Sequence, residues 1–200
     1  MLHGGSVTVN DVPTVPSELV SGPGLNTRSI RTTVTKVSTM GGPDGGRRIV
    51  AFYEGSGRDD RGRSLDDILG FDDDALEYTH DFIQWLFPLR DRSGANPTAP
   101  RLDDAAVAAF RARPELRENL RRSYDRMVAF YKADLGWLTP GNHNHLRLTR
   151  MMLSLRTLGL ESEARALHEY VVAQAARHGG VTGATLRYWN DAVSKPLALS

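Results

Sequence analysis

The sequence predicts an all-α protein, a single globular bundle of about six to seven helices behind a flexible N-terminal arm. Three observations carry this. Apolar residues recur at helical spacing from Arg47 onward. Asp, Ser, Pro and Gly punctuate the ends of those periodic runs where caps and stops belong. No internal repeat interrupts the pattern, and the one stretch with strand character, "SIRTTVTKV", lies in the arm.

Residues 1–46 are rich in Ser, Thr, Val, Gly and Pro, end in "MGGPDGGRR", and lack helical periodicity. They are read as a flexible or disordered arm, and residues 47–200 as the helical domain. Within the domain, Ser64 and Asp67 have the spacing of a capping box and open the turn "SLDDIL". Asp72 caps a helix, "DDALEYTHDFIQWLF", that Pro88 ends. "DRSGANPTAP" is a loop. Asp103 caps an Ala-rich helix that stops before Pro114, and Pro114 suits the first position of the next helix.

That helix, "PELRENLRRSYDRMVAFYKADLG", carries the stripe Leu116, Leu120, Tyr124, Met127, Tyr131 and Leu135 before Gly136 stops it. A helix from about His143 to Leu158 follows and is broken at Gly159. The next places Leu160, Ala164, Leu167, Val171 and Ala175 on one face, and the short connection makes the two an antiparallel hairpin. "ATLRYWNDAV" is the last helix.

Apolar residues make up 40% and charged residues 24% of the 200, enough for a packed core. With 25 basic and 24 acidic side chains the formal net charge is +1, so no basic field supports nucleic-acid binding. The absence of cysteine removes disulfides and thiol catalysis and fits a reducing, cytoplasmic setting. The opening "MLHGGSVTVND" lacks the charged and apolar regions of a secretory signal. The longest apolar run, "AAVAAF" from Ala105 to Phe110, falls far short of the roughly 20 residues a membrane span needs.

Candidate chemistry concentrates in "NHNHLRLTRMM", Asn142 to Met152. His143, Arg147, Arg150 and Ser154 share a narrow line on a helix that is apolar on most other sides. Glu77, Asp81 and Gln84 form a comparable strip on the "DDDALEYTHDFIQWLF" helix, with His80 at its edge and Tyr78, Phe82 and Trp85 on an apolar side. Three readings stand open. The strips pair with one another inside the bundle, arginine to carboxylate. Alternatively Asn142, His143 and Asn144 present the N-terminus of a helix, with Arg147, to an anion or a peptide carboxylate. In the third, His80, Asp81, His143 and His145 bind a metal and make the protein a metal-dependent enzyme or a metal-binding protein, although the spacing matches no standard zinc pattern. No P-loop, dinucleotide fingerprint or nucleophile elbow is present.

"FYEG" at Phe52, "SLDDILGFDDDALEYTHDFIQWLFPL" from Ser64 and "NHNHLRLTRMMLSLRTLGLE" from Asn142 together resemble the conserved domain of the opioid growth factor receptor family. The matching positions are His80, Ile83, Gln84, Trp85, Leu86, Phe87 and Pro88, then His143, Asn144, Leu146, Arg147, Thr149 and Arg150; His145 stands where that motif often has Asn. The resemblance extends from about residue 49 to 193, and the composition resembles that of a stand-alone microbial member.

What the resemblance implies is a helical, non-catalytic receptor-like domain with binding of Met-enkephalin, no cofactor, and peripheral association with membranes. The expected ligand, a small peptide or anion, sits where the His80/Gln84 helix meets the start of the His143–Arg150 helix. His80, Gln84, His143, Asn144, Arg147 and Arg150 are the expected ligand-binding residues, with Trp85 packed beneath them. A helical interaction module whose polar strips are structural is the remaining alternative.

Overall fold

A computed structural model describes residues 44–197. The arm, including "SIRTTVTKV", lies almost wholly outside the described residues, and the described part contains helices and no strand. The helices are α1 (Gly45–Tyr53), α2 (Leu65–Leu69), α3 (Asp73–Tyr78), α4 (Ile83–Leu86), α5 (Asp104–Ala112), α6 (Pro114–Ala133), α7 (Asn144–Thr157), α8 (Glu161–His178) and α9 (Gly183–Ser194).

Local capping sets most boundaries. Ser64 accepts from the Asp67 N–H while Asp67 reaches back to the Ser64 N–H, so the capping box at α2 is complete. Asp72 and Asp103 cap α3 and α5 by accepting from the N–H groups of Ala75 and Ala106. Pro114 opens α6. α7 ends in a Schellman turn: Leu160 N–H donates to Leu155 O and Gly159 N–H to Arg156 O, with Gly159 at φ 93°.

Three expectations needed correction. α1 begins at Gly45, just inside the segment assigned to the arm, because two glycines in its first turn disguise a helix that buries Ile49, Phe52 and Tyr53. α6 ends at Ala133, where Asp134 turns extended, so Leu135 leaves the stripe and Trp137 Nε1 donates back to Tyr131 O. The single helix expected from Asp73 to Phe87 is two short ones, α3 and α4, separated by Thr79 to Phe82. Thr79 is extended there, at φ −93° and ψ 126°.

Two groups of helices share one core. α1, α2 and α5 pack on α6, while α7 lies chiefly against α8 and α9, and α6 meets α8. Burying large rings drives the first group: Tyr53 stacks edge-on against Phe110 at 4.9 Å, and Trp85 lies 5.2 Å from Phe52. Trp189 fills the second group beside Trp137 and His145. α3 and α4 join the groups, and their broken connection becomes the wall of a cleft.

Candidate functional site

The break between α3 and α4 follows from one side chain of α7. Arg147 is 5% exposed, and its fork lies across the C-terminal end of α3. Nη1 donates to Leu76 O at 2.8 Å and to Asn144 Oδ1 at 3.2 Å. Nη2 donates to Thr79 O at 2.8 Å and Glu77 O at 3.3 Å. A helix end leaves its last carbonyls without partners, and here a guanidinium supplies them from another helix. The arginine strip therefore meets backbone rather than carboxylate. Burial lowers the pKa of Arg147, offset in part by Tyr131 and Glu77.

His80 joins this hub through Nδ1, 3.0 Å from Arg147 Nη2. A guanidinium only donates, so Nδ1 must be the unprotonated, accepting nitrogen. The His143 ring stands edge-on to His80 at 5.0 Å, and its Nε2 lies 3.7 Å from Glu77 Oε1, beyond hydrogen-bond reach. Burial, then Arg147, lowers the pKa of His143, against the opposing pull of Glu77. Asn144 closes the arrangement: Nδ2 donates to Glu77 Oε2 at 2.9 Å and Oδ1 accepts from the Tyr131 hydroxyl at 3.4 Å.

The first turn of α7 is satisfied from within the chain. Asn142 Oδ1 accepts from Asn144 N–H and Asn142 O from His145 N–H. The metal cluster does not assemble either. His145 points its Nε2 at Trp137 O, 2.9 Å away, and packs on Trp189, while Asp81 is claimed by arginines. Among the described residues no group of three or more His, Cys, Asp or Glu converges to hold an ion.

The remaining expected residues lie around the same region. Gln84 is buried in α4, with Nε2 3.5 Å from Ser93 Oγ and Oε1 unpaired. Ser93 Oγ in turn accepts from Asn96 N–H. Arg150 donates to Phe87 O at 3.1 Å, just beyond α4, and burial lowers its pKa.

On the outer side of the broken connection lies an open polar cleft of about 620 Å³. Tyr78, Thr79, His80 and Asp81 form one wall; Ala95, Asn96 and Thr98 form another; Asp60, Arg61 and Arg63 complete it. Of the six residues expected from sequence, His80 is the one that lines this cleft. Arg63 donates to Asp81 at 2.7 Å and to Asp59 at 2.6 Å, while Arg61 Nε donates to Asp81 at 2.8 Å. Burial pushes the Asp81 carboxyl up, but the bonds from Arg63 and Arg61 outweigh it and hold the group below its usual range. The Nη groups of Arg61 have no partner among the described residues, and neither do the backbone N–H and C=O of His80 and Asp81.

Sequence reading missed Arg61, Arg63, Tyr78, Asn96 and Thr98. Tyr78 is 78% exposed rather than on an apolar face, because the helix that would have buried it ends there. The charged run "GRDDRGR" was the available signal for the arginines, but nothing in it identifies Asp81 as their partner.

Residues 64–142 match the family described as "Opioid growth factor receptor (OGFr) conserved region". The chain is 40% identical over 106 residues to the opioid growth factor receptor of Mus musculus, covering 44% of this chain and 17% of that protein. The Homo sapiens receptor is also 40% identical over 106 residues, with 44% and 16% covered. Opioid growth factor receptor-like protein 1 of Mus musculus is 31% identical over 121 residues, 52% of this chain and 26% of that protein. The chain thus spans about a sixth to a quarter of the length of these relatives. No solved structure matches it. The matched stretch holds both loop walls of the cleft, and residues 64–142 are similar to the conserved region of the opioid growth factor receptor family.

Proposed function

We propose that this domain is a non-catalytic binding module whose cleft takes a short peptide or another small ligand bearing a carboxylate. The observation that carries the reading is the wall at His80 and Asp81. Irregular backbone with unpaired N–H and C=O groups lines a cleft there, leaving donors and acceptors available to the main chain of a short peptide. Arg61 offers its unpaired guanidinium edge to a carboxylate, and exposed Tyr78 offers a ring to an apolar side chain.

The charges of the cleft largely cancel, Arg61 and Arg63 against Asp60 and Asp81, which favours a small zwitterion over a polyanion. His80 makes the direct contact among the residues expected from sequence. Arg147, His143 and Asn144 hold its wall from behind. Gln84, through Ser93, holds Asn96 in the opposite wall, and Arg150 anchors the end of α4. The receptor names of the relatives support a ligand-binding role, and the cysteine-free sequence supports a cytoplasmic place of action.

Isothermal titration with Met-enkephalin tests this. Binding to the full chain should weaken about tenfold or more in Arg61→Ala and in Tyr78→Ala, the loss of one charge-assisted or one aromatic contact. Both side chains are largely exposed, so neither change should disturb folding. No heat of binding, or binding unchanged in both variants, would overturn the assignment.

A further inference from the structure

The same contacts that build the cleft wall make it sensitive to protons. We propose that the His80–Arg147 hydrogen bond is a proton-operated latch on the cleft, closed when the His80 ring is neutral and released when it becomes an imidazolium. The inference rests on the cleft being the binding site only for its consequence, not for its mechanism.

The chemistry follows from donor and acceptor roles. Arg147 Nη2 can only donate, so the 3.0 Å contact exists only while His80 Nδ1 carries a lone pair. A proton on Nδ1 turns the acceptor into a donor facing a guanidinium, and the bond is replaced by repulsion. Thr79 and His80 line the cleft, and Arg147 holds both, at Thr79 O and His80 Nδ1. Release of the ring removes one of two adjacent tethers on that wall. His80 is exposed, so a proton reaches it without unfolding. Histidine is the side chain that ordinarily changes charge between about pH 5 and 8.

The surroundings set the balance. From α7, Arg147 Nη2 lies 3.0 Å from His80 Nδ1, and the His143 ring stands edge-on to His80 at 5.0 Å. From α3, the Glu77 carboxylate stands 3.7 Å from His143 Nε2. Across the cleft, Asp81 is neutralised by Arg61 and Arg63, and Asp60 by Arg48, so neither carboxylate is free to hold an imidazolium in place. An ionised His80 gains little where it stands and swings outward.

Hydrogen exchange of the full chain, with no ligand present, reads the latch directly. Between about pH 8 and pH 5.5, corrected for intrinsic exchange, protection of residues 76–79, whose N–H groups are bonded within α3 and its cap, should fall roughly tenfold, as for loss of one charge-assisted hydrogen bond. His80→Asn keeps an acceptor near the Nδ1 position without a titrating group, and should hold high protection at both pH values. His80→Gln places its amide farther out and should show low protection at both. Wild-type protection that ignores pH, or the same fall in His80→Asn, would overturn the latch. A parallel titration with Met-enkephalin separates the two readings: failure to bind at pH 8 overturns the peptide reading of the cleft, while the exchange result alone decides the latch.

Discussion

Replacing Arg147 by alanine is the perturbation that most exposes how this domain is held together. The guanidinium serves the carbonyls of Leu76, Glu77 and Thr79, the Asn144 amide and the His80 ring, and it stacks 5.5 Å from the centre of the Phe82 ring. Leu76 O lies in the interior, so its loss of a partner costs about 1–3 kcal/mol. The Thr79 and Glu77 carbonyls are part-buried, and water recovers some of each. Losing the contact with Phe82 adds about 0.5–1 kcal/mol. Against these, alanine removes a charge whose burial is itself unfavourable.

The balance is about 3–5 kcal/mol, as for several buried and part-buried acceptors left without a donor at once. Urea unfolding followed by circular dichroism should show the midpoint falling by that equivalent. The melting temperature should drop by roughly 10 °C, since 1 kcal/mol moves a domain of this size by about 2–4 °C. Arg147→Lys, which keeps the charge and loses the fork, should fall between. A loss below about 1 kcal/mol in Arg147→Ala would refute the claim that this side chain caps α3.

Three further outcomes are expected. Ser154→Ala should cost about 1–2 kcal/mol by chemical denaturation, because Ser154 Oγ is the buried donor to Pro88 O at 2.8 Å. Gly180→Ala should destabilise by more than about 2 kcal/mol, since φ is 81° and an added Cβ would stand 1.7 Å from Leu138 O. Stability should also decline in mild acid. His143 and His145 both have pKa values lowered on folding, chiefly by burial, so the unfolded chain binds more protons below about 6.5. Their contribution is complete above that value and is lost as pH falls through the folded pKa values. A urea midpoint that is flat from about pH 7.5 to 5.5 would contradict this.

The sequence made the helix ends legible where the cap is local. Ser64 with Asp67, Asp72, Asp103, Pro114 and Gly159 each act within a few residues of themselves, and each stands where its type and spacing put it. The break at Thr79 was not legible, because its cause, Arg147, lies 68 residues away. The periodicity of "DDALEYTHDFIQWLF" is a sound helical signal that a tertiary contact overrides. The same distance explains the site. His80, His143, Asn144 and Arg147 were recognisable as polar residues on mostly apolar helices, and the fold gathers these four. Their targets were not recognisable, since a backbone carbonyl has no signature in a sequence. The cleft depends on Arg61 and Arg63 finding Asp81 across a turn, a pairing that periodicity does not describe.

The measurement that bears most directly on the proposed binding role is a two-dimensional NMR titration of the full chain with Met-enkephalin, followed by the same peptide with its carboxylate amidated. Amide shifts should concentrate at residues 60–63, 78–81 and 95–98, with a weaker response to the amidated form because Arg61 has lost its partner group. Unchanged spectra, or shifts gathered along α7 at residues 143–150 with the cleft walls silent, would contradict the account.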